Sequence, residues 1–134
     1  MPGEKFMAMF RYDAQKSVNS EDWLKLDEYE RIDSVTRYHR RQRIRVPNEH
    51  LHALVHVIVE NQVALGDTFV AEGVLLRLVG EGLDRHEAIH AIGSVLADHS
   101  SVLMSGGGAK DDPNAEYIHK LKSLTAESWR NLAS

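Results

Sequence analysis

The chain has 134 residues, a net charge of −4, and 43% hydrophobic against 27% charged residues, the profile of an ordinary globular chain of one domain. It contains no cysteine, which excludes a disulfide frame, a thiolate metal site and a cysteine nucleophile, and leaves any metal to His, Asp and Glu. The acidic balance argues against nucleic acid as a partner. No segment reaches the roughly 20 apolar residues of a membrane span, and Glu4, Lys5, Arg11 and Asp13 interrupt what a signal peptide would keep apolar. The expected address is the cytoplasm.

Residues 1–19 have no clear period and read as an N-terminal arm that packs through Phe6, Met9 and Phe10. Residues 20–134 read as a single helical domain. Ser20 is expected to cap a short turn of helix, and Asp27 with Glu30 makes a capping box for a longer one over about 28–43. Asn48 caps the next helix, in which Leu51, Leu54, Val55, Ile58 and Leu65 recur at three- and four-residue steps until Gly66. Asp67 is expected to cap a helix through Val70, Val74, Leu75, Leu78 and Val79, closed by Gly80-Glu81-Gly82. A box of Asp84 and Glu87 opens a helix carrying Ile89, Ile92, Val95, Leu96 and Leu103. A flexible glycine-rich linker at 105–112 follows. It resembles a phosphate loop only superficially, because the pattern's Lys-Ser/Thr is missing and no strand precedes it. Asp112-Pro113 starts the last helix, through Tyr117, Ile118, Leu121 and Leu124, with a restart at Thr125 that carries Trp129 and Leu132. Together these segments predict an all-α fold, a compact bundle of about five helices with no sheet.

The chemistry lies in the histidines. His52, His56 and Glu60 fall at i, i+4 and i+8, which stacks them along one edge of a helix, and His86 and His90 repeat the step two helices later. If the three consecutive helices run up, down and up, the first and third are parallel and the two pairs sit at one level. His52, His56, His86 and His90 then form a metal site with Glu60 as its carboxylate. Zinc suits such nitrogen-rich ligation, and iron or manganese would suit it if carboxylates dominated. His39, His50, His99 and His119 read as outside the site.

Two motifs overlap this cluster. His86-Glu87-Ala88-Ile89-His90 matches H-E-x-x-H, but the pattern is short, no strand is available to align a peptide, and Glu87 already has a capping role. Glu49/His52 and Glu87/His90 match the E-x-x-H of di-iron bundles in part, but the helices are short for that fold, and of the two further carboxylates it needs Glu72 is merely the least bad candidate. The competing reading is that eight histidines yield such spacings by chance and bond neighbouring carbonyls. The function itself, and whether there is catalysis at all, stays open at this point.

The run from Arg37 to Arg45 carries five arginines. It reads as a solvated face at a helix C-terminus, although it could also grip phosphates or an acidic partner. With the apolar helices it defines the alternative function, a helical interaction module serving a homodimer or a protein partner with no metal. Trp23, Trp129, Tyr29, Tyr38 and Tyr117 read as core anchors.

The strings DEYERIDSVTRYHRRQRI, PNEHLHALVHVIVENQVALGD, GEGLDRHEAIHAIGSVL and YIHKLKSLTAESWRNL resemble a family of small bacterial helical proteins of unknown function, over roughly residues 22–132 apart from the glycine linker. The resemblance implies an all-α fold and a bacterial source. It implies no catalytic residues.

Overall fold

Most helices begin where a short polar side chain can accept a backbone N–H left open by the first turn. Asn19 does so for α1 (Ser20–Lys25), Asp27 with Glu30 in a complete capping box for α2 (Glu28–Arg41), and Asn48 for α3 (Glu49–Ala64). Asp84 accepts the Glu87 N–H at the start of α5 (Arg85–Met104), and Asp112 precedes Pro113 at the start of α6 (Pro113–Ser123). α4 (Ala71–Gly80) and α7 (Ala126–Ala133) complete the chain. The computed structural model describes residues 10–106 and 112–133, and among these every regular element is helical, with no strand.

The described helices number seven where the sequence suggested about five, because the short segments at Ser20 and after Thr125 stand as helices of their own. Asn19, not Ser20, caps α1. Asp67 caps no helix: Gly66, at φ 61, turns the chain into a 3-10 turn over Gly66–Thr68, and Phe69 is extended, so α4 starts only at Ala71. Phe6 and Met9 of the arm and most of the glycine-rich linker lie outside the described residues.

The apolar residues form two cores joined by α3. Tyr12 and Ala14 of the arm pack with Trp23, Val35, Tyr38 and Val57, with Phe10 against them. On the other side Val59 meets Leu75 and Leu78 of α4, Ile89 and Ile92 of α5, and Leu121 of α6. Val57 and Val59 thus serve different cores from one helix. The arm is pinned by its carbonyls, which accept bonds from Arg41 (to Tyr12 O, 2.7 Å) and Arg85 (to Ala14 O, 3.0 Å).

α3 and α5 touch closely at Gly93, where a Cβ would stand 2.8 Å from the Val55 Cγ1 methyl. As α3 proceeds from His52 to Glu60, its partners on α5 go from His90 back to Arg85, so the two N-terminal halves cross. The side-by-side parallel arrangement expected from short loops is not what brings them together.

At this crossing Arg85 holds Glu60 with two bonds of 2.8 Å, the side chains being 9% and 1% exposed. Removing one partner of a buried pair leaves an uncompensated charge, a loss of about 3–5 kcal/mol, whereas replacing both with apolar groups is often neutral. Arg85→Met should therefore lower the urea unfolding free energy by about 3–5 kcal/mol, and Glu60→Leu/Arg85→Met should recover most of it. Equal losses in the single and double variants would show that the loss is not that of an uncompensated buried charge.

Candidate metal centre

Three helices bring histidines to one place. α2 supplies His39 from its last turn, α3 supplies His52 and His56 from its first two turns, and α5 supplies His86 and His90 in the same way. The i, i+4 step puts both members of each pair on the inner edge, and the capped starts at Asn48 and Asp84 fix where those edges begin. The Tyr38 ring stands edge-on to His39 and His86, with centroids 5.5 Å away in both cases, and walls the cluster from the arm side.

The imidazoles meet through their Nε2 atoms. His56 Nε2 lies 3.2 Å from that of His86 and 3.1 Å from that of His90, and the Nε2 atoms of His39 and His52 are 3.1 Å apart. His39, His56, His86 and His90 each offer a ring nitrogen within 4.8 Å of the others, close enough together to hold a metal ion. His52 lies at the edge of this set, its ring 5.0 Å from that of His90 and 5.1 Å from that of His56. For comparison, a tetrahedron with metal–nitrogen bonds of 2.0–2.1 Å has nitrogen–nitrogen edges of about 3.3 Å.

Hydrogen bonds on the far side of two rings assign their tautomers. His39 Nδ1 donates to the Val35 carbonyl at 2.9 Å, which leaves its Nε2 lone pair facing inward. Tyr12 donates its hydroxyl proton to Glu60, so its oxygen accepts from His56 Nδ1 at 3.3 Å, and His56 Nε2 likewise turns a lone pair inward. That single lone pair faces two nitrogens at near-equal distance and can accept a proton from only one of them. A cation among the nitrogens would satisfy all of them, and outer bonds of this kind, to a carbonyl or toward a carboxylate, are how ligating histidines are generally oriented.

Burial sets the charge state. It lowers the pKa values of His52, His86 and His90 to about 4, with repulsion from neighbouring imidazoles adding to the effect. His56, 2% exposed, is pushed down further still, and His39 falls for the same first reason. At neutral pH the cluster is uncharged, the form that binds metals.

The four predicted histidines are brought together, but not in the company expected. Both oxygens of Glu60 are engaged by Arg85, one of them also by Tyr12, so this carboxylate reaches the cluster only through Tyr12 and His56. His39, read from the sequence as outside the site, is in it. It carried no spacing signal, because its partners are on other helices. Its one cue was its place in the last turn of a helix that the next short loop folds back. His50 and His119 are exposed, and His99 stacks on Tyr117, 5.5 Å between centroids. Of the di-iron carboxylates, Glu49 pairs with Arg40 at 2.7 Å and Glu72 lines a separate cleft with Phe69 and Lys122.

A cleft of about 410 Å³ opens beside the cluster. His52, His56 and His90 form part of its lining, with apolar walls from Leu51, Val55, Ile89 and Trp129. None of the family models, curated proteins or solved structures compared with the chain matches it.

The lowered histidine pKa values predict how stability responds to acid. Unfolded histidines titrate at about 6.5, whereas these remain neutral in the folded chain to about pH 4, so falling pH protonates the unfolded state first. The contribution is intact above about pH 6.5 and is lost as pH falls toward about 4. In metal-free protein the urea midpoint should drop over that range, and the drop should be smaller in His52→Gln/His90→Gln. Identical pH profiles for the two proteins would contradict this account.

Proposed function

We propose that the protein is a metal-binding protein that holds a divalent first-row cation, zinc foremost, among His39, His56, His86 and His90, with His52 beside them at the cleft. The observation that carries this reading is the inward convergence of Nε2 atoms, with the outer nitrogens of His39 and His56 already committed to Val35 and Tyr12. An all-imidazole set suits zinc, and the absence of carboxylate ligands among the described residues at the cluster weighs against iron or manganese. The expected setting is the cytoplasm of a bacterium.

The cleft gives the centre a use beyond structure. His52 and His90 are half-buried and line it, whereas His39 and His86 are buried behind them, so a small molecule in the cleft would approach a bound cation from one side. A cation there would polarise an oxygen of that molecule.

Untagged protein should carry, or take up from added zinc, one equivalent per chain by elemental analysis. His56→Ala and His90→Ala should abolish this, while His119→Ala, an exposed position, should not. Protein that neither contains nor binds zinc, nickel or cobalt would refute the proposal.

The second reading, a helical interaction module, draws on an apolar groove between α3 and α5 lined by Leu51, Leu54, Ile58, Leu96 and Met104. A homodimer built on it would appear in light scattering, and Leu54→Glu/Leu96→Glu should return it to monomer. A wild-type chain that is monomeric at high concentration removes that support.

A further inference from the structure

The arginine run divides on folding. Arg37 pairs with Asp33 at 2.9 Å, Arg40 with Glu49 at 2.7 Å, and Arg41 bonds the Tyr12 carbonyl. Arg43 and Arg45 have no acidic partner among the described residues, and with Ile44 and the Arg40–Glu49 pair they line a pocket of about 470 Å³, whose one carboxylate is already held by Arg40. Val46 is in the wall of both this pocket and the histidine cleft, so the two adjoin.

Arg43 is also the only non-glycine among the described residues with positive φ, at 58°. It follows the α2 terminus, where the Ile44 N–H reaches back to the His39 carbonyl at 2.9 Å. This is the left-handed position that usually ends a helix with glycine. The backbone gains nothing from arginine there, so what the arginine contributes is its side chain. The Trp129 side chain gives the cleft an aromatic wall.

From these observations we infer that the cleft binds a small organic oxyanion, a carboxylate or a phosphate ester. Its apolar body lies between Leu51, Val55 and Trp129, and its anionic group sits in the adjoining pocket of Arg43 and Arg45. This names the ligand class of the proposed metal centre and rests on that reading for the metal, but the arginine pocket is present with or without it. Planar guanidinium groups favour oxyanions through paired N–H donors, and the apolar walls reject a bare inorganic ion.

The test is calorimetry on the full chain, both zinc-titrated and metal-free, with phenyl phosphate, phenylacetate, phenol and inorganic phosphate as probes. Phenyl phosphate or phenylacetate should bind, and the stronger of the two identifies the anion. Phenol and inorganic phosphate should each bind at least tenfold more weakly. Arg43→Gly/Arg45→Ala should weaken the preferred anion at least tenfold, with zinc stoichiometry unchanged and the thermal midpoint unchanged or higher, because glycine suits the φ of position 43. Unchanged anion affinity in that variant, phenol binding as well as the anions, or no binding by any probe would overturn the inference. If zinc fails to bind while anion binding and its arginine dependence persist, the metal reading falls alone. Zinc uptake without anion binding removes this inference alone.

Discussion

The crossing of α3 over α5 is built around one buried ion pair, neither charge of which can be removed alone. Glu60 and Arg85 are almost fully removed from water, and the desolvation of two charges is offset by a bidentate contact and further hydrogen bonds to both groups. Arg85 spends its guanidinium on both Glu60 oxygens and the Ala14 carbonyl, and Tyr12 supplies a further donor to the carboxylate. Three segments of chain therefore meet at one electrostatic knot: the arm at Tyr12 and Ala14, α3, and the start of α5. One turn before Glu60 on α3 is His56, and directly after Arg85 on α5 is His86. The pair thus fixes the level at which the imidazoles face one another, and Tyr12 links the two systems directly.

This arrangement makes scaffolding an inefficient explanation for the histidines. Five imidazoles in mutual contact pack no better than aliphatic side chains would, and in acid each forgoes the protonation that an unfolded histidine gains. The apolar cores on either side show that the fold has no shortage of Val, Leu and Ile for filling space. A cluster that costs stability in acid and offers inward lone pairs has the features that the proposed metal site requires. The raised pKa of Tyr12, caused by burial and then by the Glu60 charge, keeps its proton in place to bridge carboxylate and imidazole.

Helix type and most helix starts were legible in the sequence because they depend on local chemistry: Asp27, Asn48, Asp84 and Asp112 cap where a short acceptor precedes an apolar period. Asp67 fails as a cap for a local reason too, since the left-handed turn at Gly66 and the extended Phe69 delay the helix. The pairs His52/His56 and His86/His90 were legible because both members share a helix. His39 and the true role of Glu60 were not, because each is decided by partners far along the chain. Nothing near Glu60 in sequence announces Arg85, 25 residues away, or Tyr12, 48 residues away. Spacing can show that side chains share an edge, but which edge faces which is settled by long-range packing such as the Gly93 contact with Val55.

The segment from Gln42 to Asn48 joins the chemistry of the two pockets. It is short, and both of its ends are anchored by cluster residues, His39 one turn before it and His52 one turn after it. Arg43, Arg45 and Val46 lie on this segment, between anchors whose Nε2 atoms are 3.1 Å apart. Whatever fixes the distance between those two imidazoles also fixes the span that the segment must bridge, and with it the placement of the arginines. Because Arg43 holds the left-handed conformation that reverses the chain, the segment can turn back toward α3 with few residues. The basic pocket and the histidine cleft are therefore two faces of the same loop, and their adjacency follows from the way α2 is closed and α3 begins.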